Sequence, residues 1–310
     1  FVSQNLKDYI YSQIPDKPAL HLKLAAIMEQ IKQNISRLEI SRQYFLGGDF
    51  INAGRLIYEE IDDPVYAFTF RYRLSLLDKL LGMPLDSDLV YKIKFDKAIT
   101  LFNLDDKPGC ILQINDCLNY PYSEKDILTI KKLKASCLIS LGETDEARNI
   151  LDELLLEGDE NFINDILIEK AVLEFECSKF KDAEYLIDSL LAKNLSGYNR
   201  ARLLNLKAIT YYSFYKNIDK AVLFFKNSME LYKQQNELLK YVQIKQNIGT
   251  QYFLQNNFDL ALAEWTEAYK INNEIGNLDQ DGLLNSNFGV FHRSKFEIDR
   301  SKKHFQNAES

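Results

Sequence analysis

Apolar residues recur along this chain at intervals of three and four, and alternation at every second position is not sustained anywhere, so the pattern predicts helix after helix and no sheet. All six prolines fall within the first 121 residues, leaving 189 residues that are rich in Leu, Lys, Glu, Ala and Ile and free of the strongest helix breaker. Within these helices small residues keep a fixed spacing. Ser41/Ala53, Ala98/Cys110, Ala135/Ala147, Ala171/Ala183, Gly249/Ala261 and Gly289/Ser301 stand twelve apart, and Ala208/Ala221 thirteen. A large residue follows the second member four positions later, at Ile57, Ile114, Leu151, Ile187, Phe225, Trp265 and Phe305. Successive second members are 57, 37, 36, 38, 40 and 40 residues apart.

Such a period is a repeated helix pair. Two antiparallel helices approach closely where small side chains meet, and the large residues fill the space above and below the crossing. In the unit around Gly249 and Ala261, Tyr252 and Trp265 are the fillers. Asn256-Asn257 makes the turn, because Asn tolerates left-handed backbone. The 57-residue gap leaves room for one more helix, expected at about residues 65–81 before Gly82-Met83-Pro84.

The order small, Tyr, Ala, aromatic, Ala in Gly249, Tyr252, Ala261, Trp265 and Ala268 resembles the tetratricopeptide repeat. The resemblance covers about residues 36–310 and is best at 242–275. The spacing and the segment Ile275-Gly276-Asn277 are similar to the variety of roughly 40 residues per repeat. Glu174 and His292 depart from it at the aromatic position, and Glu60 stands where a small residue belongs. The resemblance implies an all-α fold, a right-handed α-solenoid of antiparallel helix pairs. Three regions are expected: entry or capping helices over 1–35, irregular helical repeats over 36–121, and regular repeats over 122–310.

Residues 1–30 lie outside the repeat. Tyr9-Ile10-Tyr11, the turn at Pro15, and Leu20-His21-Leu22-Lys23-Leu24-Ala25 resemble the passage in STAND signalling ATPases where a winged-helix domain gives way to a superhelical sensor arm. Tyr44-Phe45-Leu46-Gly47-Gly48-Asp49-Phe50 is similar to the first repeat of such an arm. With no initiator Met, and with Ala308-Glu309-Ser310 falling inside the second helix of a pair, the chain is expected to be an excerpt of a longer protein.

Charge and chemistry narrow the function. The 38 basic and 45 acidic side chains give a net charge of −7, which argues against direct contact with nucleic acid. Residues 101–200 hold 20 of the acidic and 11 of the basic groups. No apolar run is long enough to span a bilayer, and Phe1-Val2-Ser3-Gln4-Asn5 lacks the features of a signal peptide. Cys110, Cys117, Cys137 and Cys177 show no CxxC pair, so they read as small buried hydrophobes in a reducing cytoplasm. There is no phosphate-binding glycine loop, HExxH or GxSxG. His21, His292 and His304 read as structural residues. No catalytic residue, metal or cofactor is therefore expected, and the chain is not read as an enzyme.

A stack of helix pairs offers a groove lined by the first helix of each pair. Counted from the small residue, the lining positions include Arg202, Asn205, Ile209 and Tyr212; Gln243, Gln246, Asn247, Thr250 and Phe253; and Leu283, Ser286, Asn287, Val290 and Arg293. A carboxamide offers both donor and acceptor to a peptide group without a charge to desolvate. The resemblance implies that Asn247 and Asn287, two positions before the small residue, clamp the backbone of an extended peptide. Asp165, Glu169 and Glu176 are expected to make the middle of the groove negative and to favour a basic segment. The function expected is a cytoplasmic regulatory arm that binds a protein, peptide or ligand, as in the sensor of a STAND ATPase. A stand-alone scaffold and the receptor arm of a peptide-pheromone regulator are the alternatives.

Overall fold

The computed structural model describes residues 9, 11–31, 35–61, 70–275 and 277–309. Regular structure among them is helical, with sixteen helices from Lys17 onward. Packing divides the chain into two units, one of residues 1–105 and 112–120, the other of 106–111 and 121–310. The first holds α1 (Lys17–Ile31), α2 (Arg37–Leu46), α3 (Phe50–Ile61), α4 (Phe70–Leu81) and α5 (Ser87–Asn103); α6 (Lys107–Cys117) is shared between the two. The second holds the pairs α7 (Glu124–Leu141) and α8 (Thr144–Leu154), α9 (Glu160–Glu176) and α10 (Phe180–Leu191), α11 (Gly197–Ser213) and α12 (Ile218–Gln234), α13 (Leu238–Leu254) and α14 (Phe258–Ile275), and α15 (Leu278–Ser294) and α16 (Ile298–Glu309). Of the helix expected at 65–81, residues 70–81 are helical and 65–69 lie outside the described residues, as do residues 1–8 and 10 of the entry segment and Gly276.

Short polar side chains start the first helices. Ser123, Asp159, Ser196 and Asn277 each accept a hydrogen bond from the backbone N–H three residues on, at 2.8–3.3 Å. A left-handed residue ends them. Gly48, Asp105, Gly142, Ser178, Lys216, Asn256 and Phe296 all have φ between 52° and 82°. Every one lies five residues before the second small residue of its pair, so one backbone event sets the phase of all seven units. The following N–H reaches back to close the helix end, as from Glu143 to the Leu138 carbonyl, Lys179 to Glu174, Asn257 to Tyr252 and Glu297 to His292, at 2.8–2.9 Å. In the Ala208/Ala221 unit the bond runs from Asn217 to Tyr211, so the extra residue is absorbed in the turn.

The small residues meet as expected within the pairs. Ala53, Ala135, Ala147, Ala171, Ala183, Ala208, Ala221 and Ala261 are fully buried. In the outermost pairs a hydroxyl crosses instead of a methyl: Ser41 donates to the Ala53 carbonyl and Ser301 to the Gly289 carbonyl, both at 2.9 Å. A Cβ added at Gly249 would sit 2.6 Å from the Trp265 ring, so only glycine admits the indole there. Trp265, Phe225, Ile187 and Leu151 are buried as the fillers of successive pairs. The departures have local explanations. Glu174, buried at the aromatic position, is gripped by Arg148, and Glu60 pairs with Arg37 at 3.5 Å. Cys110, Cys117 and Cys137 are buried and Cys177 half-buried. No helix among the described residues is long and apolar enough to cross a membrane.

Candidate functional site: the polar ladder of the first helices

In the second unit the exposed faces of α7, α9, α11, α13 and α15 carry the side chains singled out from the sequence, and hydrogen bonds join one helix to the next. Between α7 and α9, Lys132 donates to Asp165 at 3.1 Å and Ser136 to Glu169 at 3.0 Å. Between α9 and α11, Asn199 donates to Asp165 and Arg202 to Glu169, both at 2.6 Å. Between α13 and α15, Gln280 donates to Gln246. The partners are 33 or 34 residues apart, about one repeat, so they form rungs across the stack.

This geometry changes the expected electrostatics. Asp165 has a lysine and a carboxamide on its two oxygens, and Glu169 has Arg202 and Ser136. Each is thus paired with a cation, so the half-buried Asp165 and the buried Glu169 present less negative charge than their number implies; Glu176 is exposed, with no recorded ion pair among the described residues. Lys240, in the first turn of α13, is not drawn into these rungs. Its recorded hydrogen bond goes to the Gln243 carboxamide at 3.2 Å, and it has no salt bridge among the described residues. Burial holds its ammonium below the usual lysine range, helped by repulsion from Arg202 and Lys107 and opposed by Glu237.

The expected groove residues divide into three sets. Arg202, Gln243 and Gln246 are committed to the contacts above. Asn205 and Asn287 each keep one side-chain atom buried without a partner, Oδ1 in Asn205 and Nδ2 in Asn287, and Asn247 makes no hydrogen bond recorded among the described residues. The third set is structural. Phe253 meets Phe258 edge to face at 5.4 Å and Trp265 at a tilt at 5.7 Å, so it staples its own helix pair and is not a free groove residue. Tyr212 and Ile209 pack on the core of the α11–α12 pair. Ser286 bonds back to the Gly282 carbonyl at 3.0 Å, Thr250 does the same to Gln246, and Arg293 lies over the Phe305 ring. Leu283 is exposed and Val290 half-buried. Lys132, Ser136, Asn199 and Lys240 belong to the same face and were not singled out from the sequence. A count at one-repeat intervals from Asp165 and Glu169 would have found the first three, because complementary partners fall there.

The histidines form a second polar cluster at the last pair. His292 and His304 stack with ring centroids 5.3 Å apart, His292 meets Glu297 at 2.8 Å, and His304 meets Asn285 at 2.9 Å. His292 thus has the acidic neighbour that sequence spacing does not reveal. No group of three or more His, Cys, Asp or Glu residues among the described residues could hold a metal ion.

No family model matches the chain, and no curated protein matches its sequence. Solved structures do match in fold. A Rap protein complexed with Competence and Sporulation Factor aligns over 94% of this chain and 80% of its own, with a TM-score of 0.64 and 14% identity. The STAND protein with a tetratricopeptide repeat sensor from Pyrococcus horikoshii aligns over 98% of this chain with a TM-score of 0.51 and 12% identity. The chain spans 48% of that protein's length. With the seven-fold turn geometry and the small-residue crossings, these likenesses make the fold that of a tetratricopeptide-repeat protein, an all-α solenoid of antiparallel helix pairs.

Proposed function

We propose that this region is a non-catalytic binding arm whose polar ladder takes an extended protein or peptide segment. The observation that carries the reading is the pair of unsatisfied carboxamides, Asn205 and Asn287, on the groove-facing helices. A buried polar atom without a partner costs about 1–3 kcal/mol, and a peptide backbone supplies both the N–H and the C=O that would satisfy such atoms. Extended backbone suits a ladder of this kind because its polar groups recur along its length.

In its finer form the arm is regulatory, the sensor portion of a larger cytoplasmic signalling protein. The fold likeness to the STAND protein is consistent with that form, and so is the short entry segment around Tyr11 and His21. The likeness to the Rap protein, higher in TM-score, favours a second form in which the arm is the receptor portion of a regulator. A stand-alone scaffold would use the same groove without a switch.

The test is a selection of random twelve-residue peptides displayed on phage against the purified chain. Wild type is expected to enrich a family of sequences, and the triple variant Asn205→Ala/Asn247→Ala/Asn287→Ala to lose their binding in calorimetry while its melting temperature stays close to wild type. Equal affinity of both proteins for every enriched peptide would overturn the groove assignment.

A further inference from the structure

One turn of the stack carries a side chain that the fold does not ask for. Within the second unit the left-handed residue of each turn between paired helices is Gly142, Ser178, Lys216, Asn256 or Phe296. The first four are glycine or polar, and all are exposed although a further helix pair follows each of them. The position therefore faces solvent whatever comes after it. Phe296, between α15 and α16, holds φ of 60° and leaves 89% of its surface in water.

Elsewhere the aromatics of these turns point inward. Phe175 meets Phe180 and Phe253 meets Phe258 edge to face, at 5.3 and 5.4 Å, from three residues before the left-handed residue to two after it. In the last turn those two positions are Arg293 and Ile298, and the aromatic stands between them at the outward position. A bulky residue in left-handed backbone is strained, and an exposed ring forfeits its hydrophobic gain. Both costs fall on one residue and neither helps the pair to fold, which is the mark of a contact made with another molecule.

What surrounds Phe296 identifies that molecule. A hollow of about 550 Å³ opens beside the ring, lined by Phe296 itself, Glu297, Ile298, Asp299 and Arg300. Knob and hollow thus lie on one patch, as a two-fold contact between identical surfaces requires. The charges match in the same sense. Lys295 rests on the Phe258 ring at 4.2 Å with no carboxylate recorded, and Asp299 is exposed with no cation recorded, among the described residues. Arg300, its side chain 71% exposed, reaches Glu297 at 3.0 Å. Two cations and two anions surround two apolar side chains, so the patch favours neither a basic nor an acidic surface and complements a copy of itself turned about a two-fold axis. Leu254 and Leu260, exposed at the neighbouring turn, extend it.

We infer that the turn between α15 and α16 is a self-association surface, on which Phe296 of each copy enters the hollow beside Ile298 of the other and Arg300 of each faces Asp299 of the other. The contact is small against the roughly 800 Å² per partner of a stable interface, so the dimer is a weak one that forms at micromolar concentration and above. It uses none of the ladder residues and stands or falls independently of the groove reading.

Sedimentation equilibrium of the full chain, from low micromolar to several hundred micromolar, tests the surface. Wild type is expected to pass from monomer to dimer across that range, and Phe296→Asn to associate at least ten-fold more weakly. In dilute, monomeric protein Phe296→Asn is expected to melt at or above the wild-type temperature, because asparagine tolerates left-handed backbone. Arg300→Glu and Asp299→Arg are each expected to lose self-association and, when mixed, to form a heterodimer, since the mixture restores both ion pairs across the axis. Wild type that stays monomeric throughout would overturn the inference, as would Phe296→Asn that dimerises like wild type. A clear drop in the melting temperature of Phe296→Asn would make the ring a structural one. Failure of the two charge variants to pair would show that the contact is not the two-fold one described, and either result sinks the assignment.

Discussion

Five of the seven turns between paired helices place a residue with a Cβ in left-handed backbone, and Ser178 is the cleanest place to measure what that costs. Ser178 has φ of 60°, lies exposed between α9 and α10, and makes no side-chain hydrogen bond recorded among the described residues. Its backbone N–H bonds to the Phe175 carbonyl at 2.9 Å, and the next N–H, of Lys179, closes onto Glu174 at 2.8 Å. Ser178→Gly therefore changes little except the Cβ. A non-glycine residue in this region pays about 1–2 kcal/mol of steric conflict with its own carbonyl. Glycine returns about 0.4–1 kcal/mol of that through the greater freedom of the unfolded chain. The net expectation is a gain of about 0.5–1 kcal/mol. In a unit of roughly 200 residues, 1 kcal/mol moves the melting temperature by about 2–4 °C. Differential scanning calorimetry should resolve a rise of about 1–4 °C.

Two further variants fix the sign. Gly142→Ala, at the equivalent turn with φ of 81°, should lower the melting temperature by a similar amount, since nothing within 4 Å obstructs the new methyl and the loss is backbone strain alone. Ser140→Gly, two residues earlier on the exposed face of α7, introduces glycine into ordinary helix and should cost about 0.5–1 kcal/mol. If Ser178→Gly destabilised the protein as Ser140→Gly does, the turn would not be left-handed, and the common phase assigned to all seven units would fail with it.

Two other consequences follow from buried polar contacts. Arg148→Ala leaves Glu174, whose carboxyl that guanidinium holds below the usual carboxylate range, with the more distant Lys179 ammonium at 3.6 Å as its recorded ion-pair partner, and urea unfolding should register a loss of about 3 kcal/mol, while Arg148→Leu combined with Glu174→Leu should recover most of it. The Glu174 contribution is present above its ordinary pKa of 4.5 and is lost as pH falls below it, so the gap between wild type and Arg148→Ala should narrow on acidification. Burial, with repulsion from His292 and Lys303, holds the His304 imidazole below its ordinary value of 6.5. The unfolded chain therefore binds the proton more readily, and stability drains away as pH drops through 6.5. His304→Phe should flatten that part of a melting-temperature profile taken from pH 8 to 5; an unchanged slope would show that the stacked pair carries none of it.

The repeat was legible because its determinants are local. Ala171 and Ala183, or Gly249 and Ala261, announce a helix crossing by size alone, and twelve residues is the distance one turn imposes. The left-handed turns were legible at Asn256 and hidden at Lys216 and Phe296, since neither residue type favours that backbone; there the packing of two helices overrides local preference. Phe253 was counted among the groove residues because face counting sees only its own helix, whereas Phe258 and Trp265 of the partner helix hold its ring half-buried against the pair. The acidity of the middle of the groove was misread for a different reason. Composition counts Asp165 and Glu169 but is blind to Lys132, Asn199 and Arg202 arriving one repeat away to neutralise them.

That last point bears on what the groove can do. In a stack where each pair touches its neighbours, stability is close to a sum of pair terms and nearest-neighbour terms, and the rungs along the first helices belong to the second kind. Hydrogen exchange is the direct measure: Arg202→Gln, which weakens the rung from α11 to Glu169 on α9, should speed exchange in α9 and α11 together, and a change confined to one of the two helices would show that the rung does not couple them.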